Sequence, residues 1–90
     1  MGPHRRKILA VTRSYGVKRV RVFGSVGRNE ADAGSDVDLL VDRLPDASLL
    51  DLAHLERELS KIVGRSVDVV EEDELPWSLR PQVIAEATPL

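Results

Sequence analysis

Hydrophobic positions change period several times along the chain. Ile8, Val11 and Tyr15 recur at helical spacing within residues 4–15, and Gly16 follows as a stop, which predicts a first helix. Residues 18–24 then alternate with period two, Val20 and Val22 sharing one face, as in a strand. Residues 25–32 have room for one or two helical turns. Residues 36–42 predict a second strand with Val37, Leu39 and Val41 toward the core. Pro45 breaks the pattern. Ser48 with Asp51 three positions later resembles a capping box. Leu52, Leu55, Leu59 and Ile62 continue as the apolar stripe of a helix that Gly64 ends. Residues 66–71 predict a third strand. A last helix is expected over about 79–87, with Pro81 tolerated in its first turn. The order α-β-(short α)-β-α-β-α predicts an α/β domain. Neither an internal repeat nor a composition shift divides the chain, so residues 1–90 are expected to form a single domain.

Ninety residues suffice for one small domain. Folding a chain of this length hides a little over ~60% of the surface exposed when unfolded, so the core is modest. Three residues are aromatic, Tyr15, Phe23 and Trp77, which argues against reading nucleic acid by stacking bases on rings. The absence of cysteine excludes disulfides, thiol nucleophiles and cysteine-ligated zinc. No apolar run nears the ~18 residues of a membrane helix and no signal-peptide pattern is present, so a cytoplasmic setting is expected. The formal charge of −2 hides an uneven distribution. Residues 1–28 hold eight basic residues and no acid, whereas the remainder holds five basic residues and all fifteen acids. The basic start reads as a solvated helix face or as a phosphate-attracting rim.

Three features carry candidate chemistry. Gly24-Ser25 closes the first strand. A glycine allows close backbone approach, and free N–H groups at a helix start bind phosphate. On its own the pair is also compatible with an ordinary serine-capped turn. Asp36 and Asp38 are two apart on a strand, hence on one face. Strands disfavour Asp, and adjacent like charges repel, costs that a divalent cation offsets. Hard carboxylate oxygens suit Mg²⁺ together with substrate phosphates. Two solvated acids on an exposed face is the other reading. Asp68 lies between Val67 and Val69 in the third predicted strand and joins the pair if that strand neighbours the second. A third acid completes a metal site or serves as a general base.

The sequence resembles a known family at these positions. Gly24-Ser25, ten intervening residues and Asp36-Val37-Asp38 resemble the signature of the DNA polymerase β-like nucleotidyltransferase superfamily. The fuller stretch GSVGRNEADAGSDVDLLVD is similar to that of its minimal nucleotidyltransferases, in which Arg28, Ser35, Asp36, Asp38 and Leu39 match recurrent positions. Gly27 and Asn29 stand where such proteins often have alanine and glycine. The closing segment GRSVDVVEEDEL resembles the family's third strand, with Asp68 on its third carboxylate. The resemblance implies a polymerase β-like palm core, a small mixed sheet with helices mainly on one face. It implies metal-dependent transfer of AMP from ATP. Gly24 and Ser25 would hold the β- and γ-phosphates, with Arg28 and Ser35 among the nucleotide-binding residues. Asp36, Asp38 and Asp68 would hold one or two Mg²⁺ ions, with Asp68 also activating the acceptor hydroxyl. The implied partner is a helical HEPN-type toxin, adenylylated on a tyrosine by its antitoxin.

Two further functions compete with that one: an antitoxin that neutralises its partner by binding alone, and nucleotidyl transfer to a small molecule. The small-molecule enzymes carry extra domains that build an acceptor pocket, and 90 residues leave no room for one. The three carboxylates are expected to converge within metal-bridging reach beside the Gly24-Ser25 turn. Several residues are assigned no chemistry. His4 and His54 lack a ligand-spaced partner, and His54 is expected on the surface. Trp77 is expected in the core. Tyr15 ends the first apolar stripe. Glu71, Glu72, Asp73 and Glu74 read as a solvated acidic loop.

Overall fold

The computed structural model describes residues 2–24 and 36–90. The short helical segment expected at 25–32 lies outside the described residues, as do Ser25, Arg28 and Ser35. After a 3₁₀ turn at Gly2–His4, the elements are α1 (Arg5–Ser14), β1 (Val17–Phe23), β2 (Val37–Arg43), α2 (Leu49–Val63), β3 (Val67–Glu71), α3 (Arg80–Glu86) and β4 (Thr88–Pro89). The strands form one mixed sheet in the order β3-β2-β1-β4. β2 and β3 are parallel, and β1 is antiparallel to both β2 and β4. The fold is the expected α+β arrangement. None of the described helices is long and apolar enough to cross a membrane.

Alternation divides the sheet into two faces. Val20 and Val22 of β1, Val37, Leu39 and Val41 of β2, and Val67 of β3 share one core with Ile8 of α1 and Leu52, Leu55 and Leu59 of α2. Both long helices therefore cover the same face. α2 begins at the expected capping box: Ser48 Oγ accepts from Asp51 N–H at 3.1 Å, and the Asp51 carboxylate accepts from Ser48 N–H at 2.8 Å. It ends at Gly64, whose φ of +79° is left-handed and suits a residue without Cβ. Thr12, fully buried on α1, donates to the Leu9 carbonyl, so its hydroxyl is satisfied.

The second face carries Asp38, Leu40 and Asp42 of β2, Asp68 and Val70 of β3, and Arg21 of β1, which is in register with Leu40. Leu40 is fully buried although it belongs to this face. A bulge inserts Arg19 into β1, with φ +53°, and keeps Val20 in the core while Arg21 turns to the second face. Arg21 is 8% exposed. Its guanidinium pairs with Asp42 at 3.4 Å and Glu72 at 3.2 Å, and its Nε donates to the Arg19 carbonyl. Glu72 also pairs with Arg80 at 3.4 Å, which ties the start of α3 to the sheet.

Two expectations require correction, and one strand is additional. The acidic run is only partly a solvated loop: Asp73 and Glu74 are exposed, but the first two acids are not free. Glu71 ends β3 and pairs with Arg43, and Glu72 pairs with Arg21 and Arg80. Trp77 is 86% exposed, because the turn before α3 carries it away from the core that α1 and α2 fill. β4 was not foreseen. It is two residues long and pairs Thr88 with Val22 and Pro89 with Arg21 at the sheet edge, where a proline is tolerated. His54 is exposed, as expected.

Candidate active site

The end of β1 and the start of β2 are brought together by their antiparallel pairing, with Phe23 opposite Asp38. Gly24 follows with φ +74°. A Cβ built there would lie 2.5 Å from Asp38 Oδ2. The glycine thus brings bare backbone against a carboxylate, an approach closed to any larger residue.

Asp38 and Asp68 are register partners in the parallel β2–β3 pair, and so project from the same face of neighbouring strands. Asp36, exposed, immediately precedes β2 and lies two residues before Asp38. Burial pushes the Asp38 carboxyl above its ordinary range, and the Asp68 and Asp36 carboxylates push it further in the same direction. Half-buried Asp38 therefore feels both neighbouring carboxylates. Cation binding would relieve this cost, and the donors are the hard oxygens that Mg²⁺ prefers.

The expected convergence is incomplete. Among the described residues, no three Asp, Glu or His side chains gather into a ready-made cation cage. Asp38 and Asp68 share a face, and Asp36 adds to the field at Asp38, without the three closing on one point, as repulsion between like charges favours. The surface hollow of about 470 Å³ lined by Tyr15, Gly16, Leu44 and Ala47 lies at the opposite end of β1 and β2. It is not associated with the acids.

Two contributors escaped the sequence reading. Glu56 and Ser60 on α2 accept hydrogen bonds from the backbone of β3 on either side of Asp68. Their only signal is their spacing: two polar residues four apart, each directly after a buried leucine of the apolar stripe.

A mixed sheet with both long helices on one face and acids presented on the other is the frame of a nucleotidyl-transferring domain. Residues 5–90 match the family model for the nucleotidyltransferase domain, and the chain belongs to that family. It is 40% identical over 83 residues to a protein of Methanocaldococcus jannaschii provisionally named a protein adenylyltransferase, covering 92% of this chain and 89% of that one. It is also 40% identical over 72 residues to the protein adenylyltransferase MntA of Thermococcus cleftensis, covering 80% and 73% of the respective chains. A solved structure provisionally described as a minimal nucleotidyltransferase superposes with TM-score 0.89 at 45% identity, over 99% of this chain and 91% of that one. A toxin–antitoxin structure with AMP-PNP superposes with TM-score 0.79 at 21% identity, over 93% of this chain and 69% of that one, a likeness of fold.

Proposed function

We propose that this chain is a metal-dependent adenylyltransferase that moves AMP from ATP to a tyrosine hydroxyl of a HEPN-type toxin and so acts as its antitoxin in the cytoplasm. The observation that carries this reading is the Asp38–Asp68 register with Gly24 against Asp38, in a chain of the nucleotidyltransferase family. The names of its relatives, protein adenylyltransferases among them, support the acceptor class.

In this reading Asp36, Asp38 and Asp68 hold Mg²⁺, which when bound supplies charge neutralisation at the triphosphate. Gly24 brings bare backbone next to the acids, where the phosphates would lie, and Ser25, Arg28 and Ser35 would complete the nucleotide contacts. Asp68, the more exposed member of the Asp38–Asp68 pair, takes the proton of the acceptor hydroxyl. The hydroxyl oxygen bonds to the α-phosphorus, the bond to the β-phosphate oxygen breaks, and pyrophosphate leaves. The partner surface supplies the acceptor pocket.

The test is transfer to a HEPN-type toxin co-expressed with this chain. Mass spectrometry of the co-expressed partner should show AMP on tyrosine with the native chain and none with Asp36→Ala/Asp38→Ala. An unmodified partner in the native pairing would rule the reading out. Neutralisation by occlusion has one observation in its favour: Trp77, Leu79 and Ile84 are exposed in and just before α3 and offer an apolar surface to a partner. Full protection by the double variant would establish that second reading.

A further inference from the structure

β3 is an edge strand, and alternate N–H groups of an edge strand point away from the sheet. Val37 N–H donates to the Ser66 carbonyl at 2.9 Å, which turns the main-chain groups of residues 66 and 68 toward β2 and those of Val67 and Val69 outward. Both outward N–H groups end on α2. Val67 N–H donates to Ser60 Oγ at 3.0 Å, and Val69 N–H donates to Glu56 Oε2 at 2.7 Å. Ser60 Oγ donates in turn to the Glu56 carbonyl at 2.8 Å, which fixes the hydroxyl as the acceptor for Val67.

Asp68 lies between the two clamped residues. Glu56 and Ser60 occupy one row of the helix, four residues apart. Each follows a fully buried leucine, Leu55 and Leu59, so the clamp is mounted on the best-anchored part of α2. Blunting an edge needs only a lysine, a proline or a bulge. Two acceptors aimed at the amides on either side of one carboxylate also fix the height and tilt of the strand. We propose that Glu56 and Ser60 are positioning residues for Asp68, holding it opposite Asp38 during transfer. This inference rests on the role assigned to Asp68 above.

Native-state amide exchange and steady-state kinetics on the full chain test it together. In Glu56→Ala, exchange at Val69 should quicken at least about tenfold relative to β1 amides. In the same variant kcat for AMP transfer should fall about tenfold, with KM for ATP unchanged, because a small misplacement of a reacting group costs rate rather than binding. Glu56→Gln retains a carbonyl acceptor and should restore both. Ser60→Ala, a milder change, should quicken Val67 and lower kcat in the same direction. Equal kcat losses in the Gln and Ala variants would overturn the proposal. Unaltered Val69 exchange in Glu56→Ala, or a kcat loss that only follows the unfolded fraction, would overturn it too. Absence of transfer by the native chain would instead remove the proposed function, and the exchange measurement would then decide the clamp by itself.

Discussion

Gly24 and Asp38 are packed so closely that a methyl group on the first would lie 2.5 Å from Oδ2 of the second. Two costs meet in Gly24→Ala. The φ of +74° strains any residue with a Cβ by about 1 kcal/mol. The clash is relieved by rotating Asp38 away, which costs little stability but displaces the central carboxylate. Thermal unfolding should therefore show a modest loss while AMP transfer falls about a hundredfold. Unfolding with a large loss of stability and unchanged specific activity would contradict this assignment.

Asp38 should destabilise the fold it serves. Its carboxyl is held above the ordinary value of 3.8 by burial, Asp68 and Asp36. The folded chain therefore binds more protons than the unfolded chain between 3.8 and the raised value. Stability falls as pH rises through that window and stays lower above it. Asp38→Asn removes the ionised form. In urea titrations without divalent ions, the variant should be more stable than the native chain at pH 7, and its advantage should fade in acid below 3.8. Its transfer activity should fall by about a hundredfold or more. Equal stabilities at pH 7 would show that the carboxylate is not under electrostatic load.

Much of this site could be read before the fold was known, because it depends on local period. Strand alternation predicts Asp36 and Asp38 on one face, although β2 begins only at Val37, and α2 was bounded by its capping box and Gly64. Asp68 needed one further step, the adjacency of β2 and β3, which the pairing supplies. What escaped was non-local or too short to have a period. Arg21 and Glu72 are 51 residues apart, and neither carries a local sign of the other. β4 has two residues, one a proline. Trp77 misled because its apolar ring argued for burial, while the turn before α3 leads away from the filled core.

Magnesium should stabilise the native chain through the same acids. A ligand that binds only the folded state raises its stability with concentration. The load on Asp38 provides a reason for the binding. Raising Mg²⁺ from zero to about 100 times its dissociation constant should add about 2.7 kcal/mol. The melting temperature should rise accordingly and return on chelation. Asp36→Ala/Asp38→Ala should abolish the response. An equal response in the double variant would place the ion elsewhere.

The far end of the second face responds to acid in the opposite sense. Hydrogen bonding from Arg21 holds the Glu72 carboxyl below its ordinary 4.5, and Arg80 adds to this. Glu72 therefore contributes stability above about that pH and loses it as pH falls through the folded value. Glu72→Gln should destabilise the chain at pH 7, and the difference from the native chain should vanish in strong acid. Arg21→Ala should cost more, about 3 kcal/mol, since it removes a buried cation from between Asp42 and Glu72. Arg19 and Arg80 still pair with those acids, so the variant should unfold earlier without losing the fold at low temperature. Urea titrations across pH 3 to 7 distinguish the two variants. A difference for Glu72→Gln that persists unchanged at pH 3 would assign its effect to packing rather than charge.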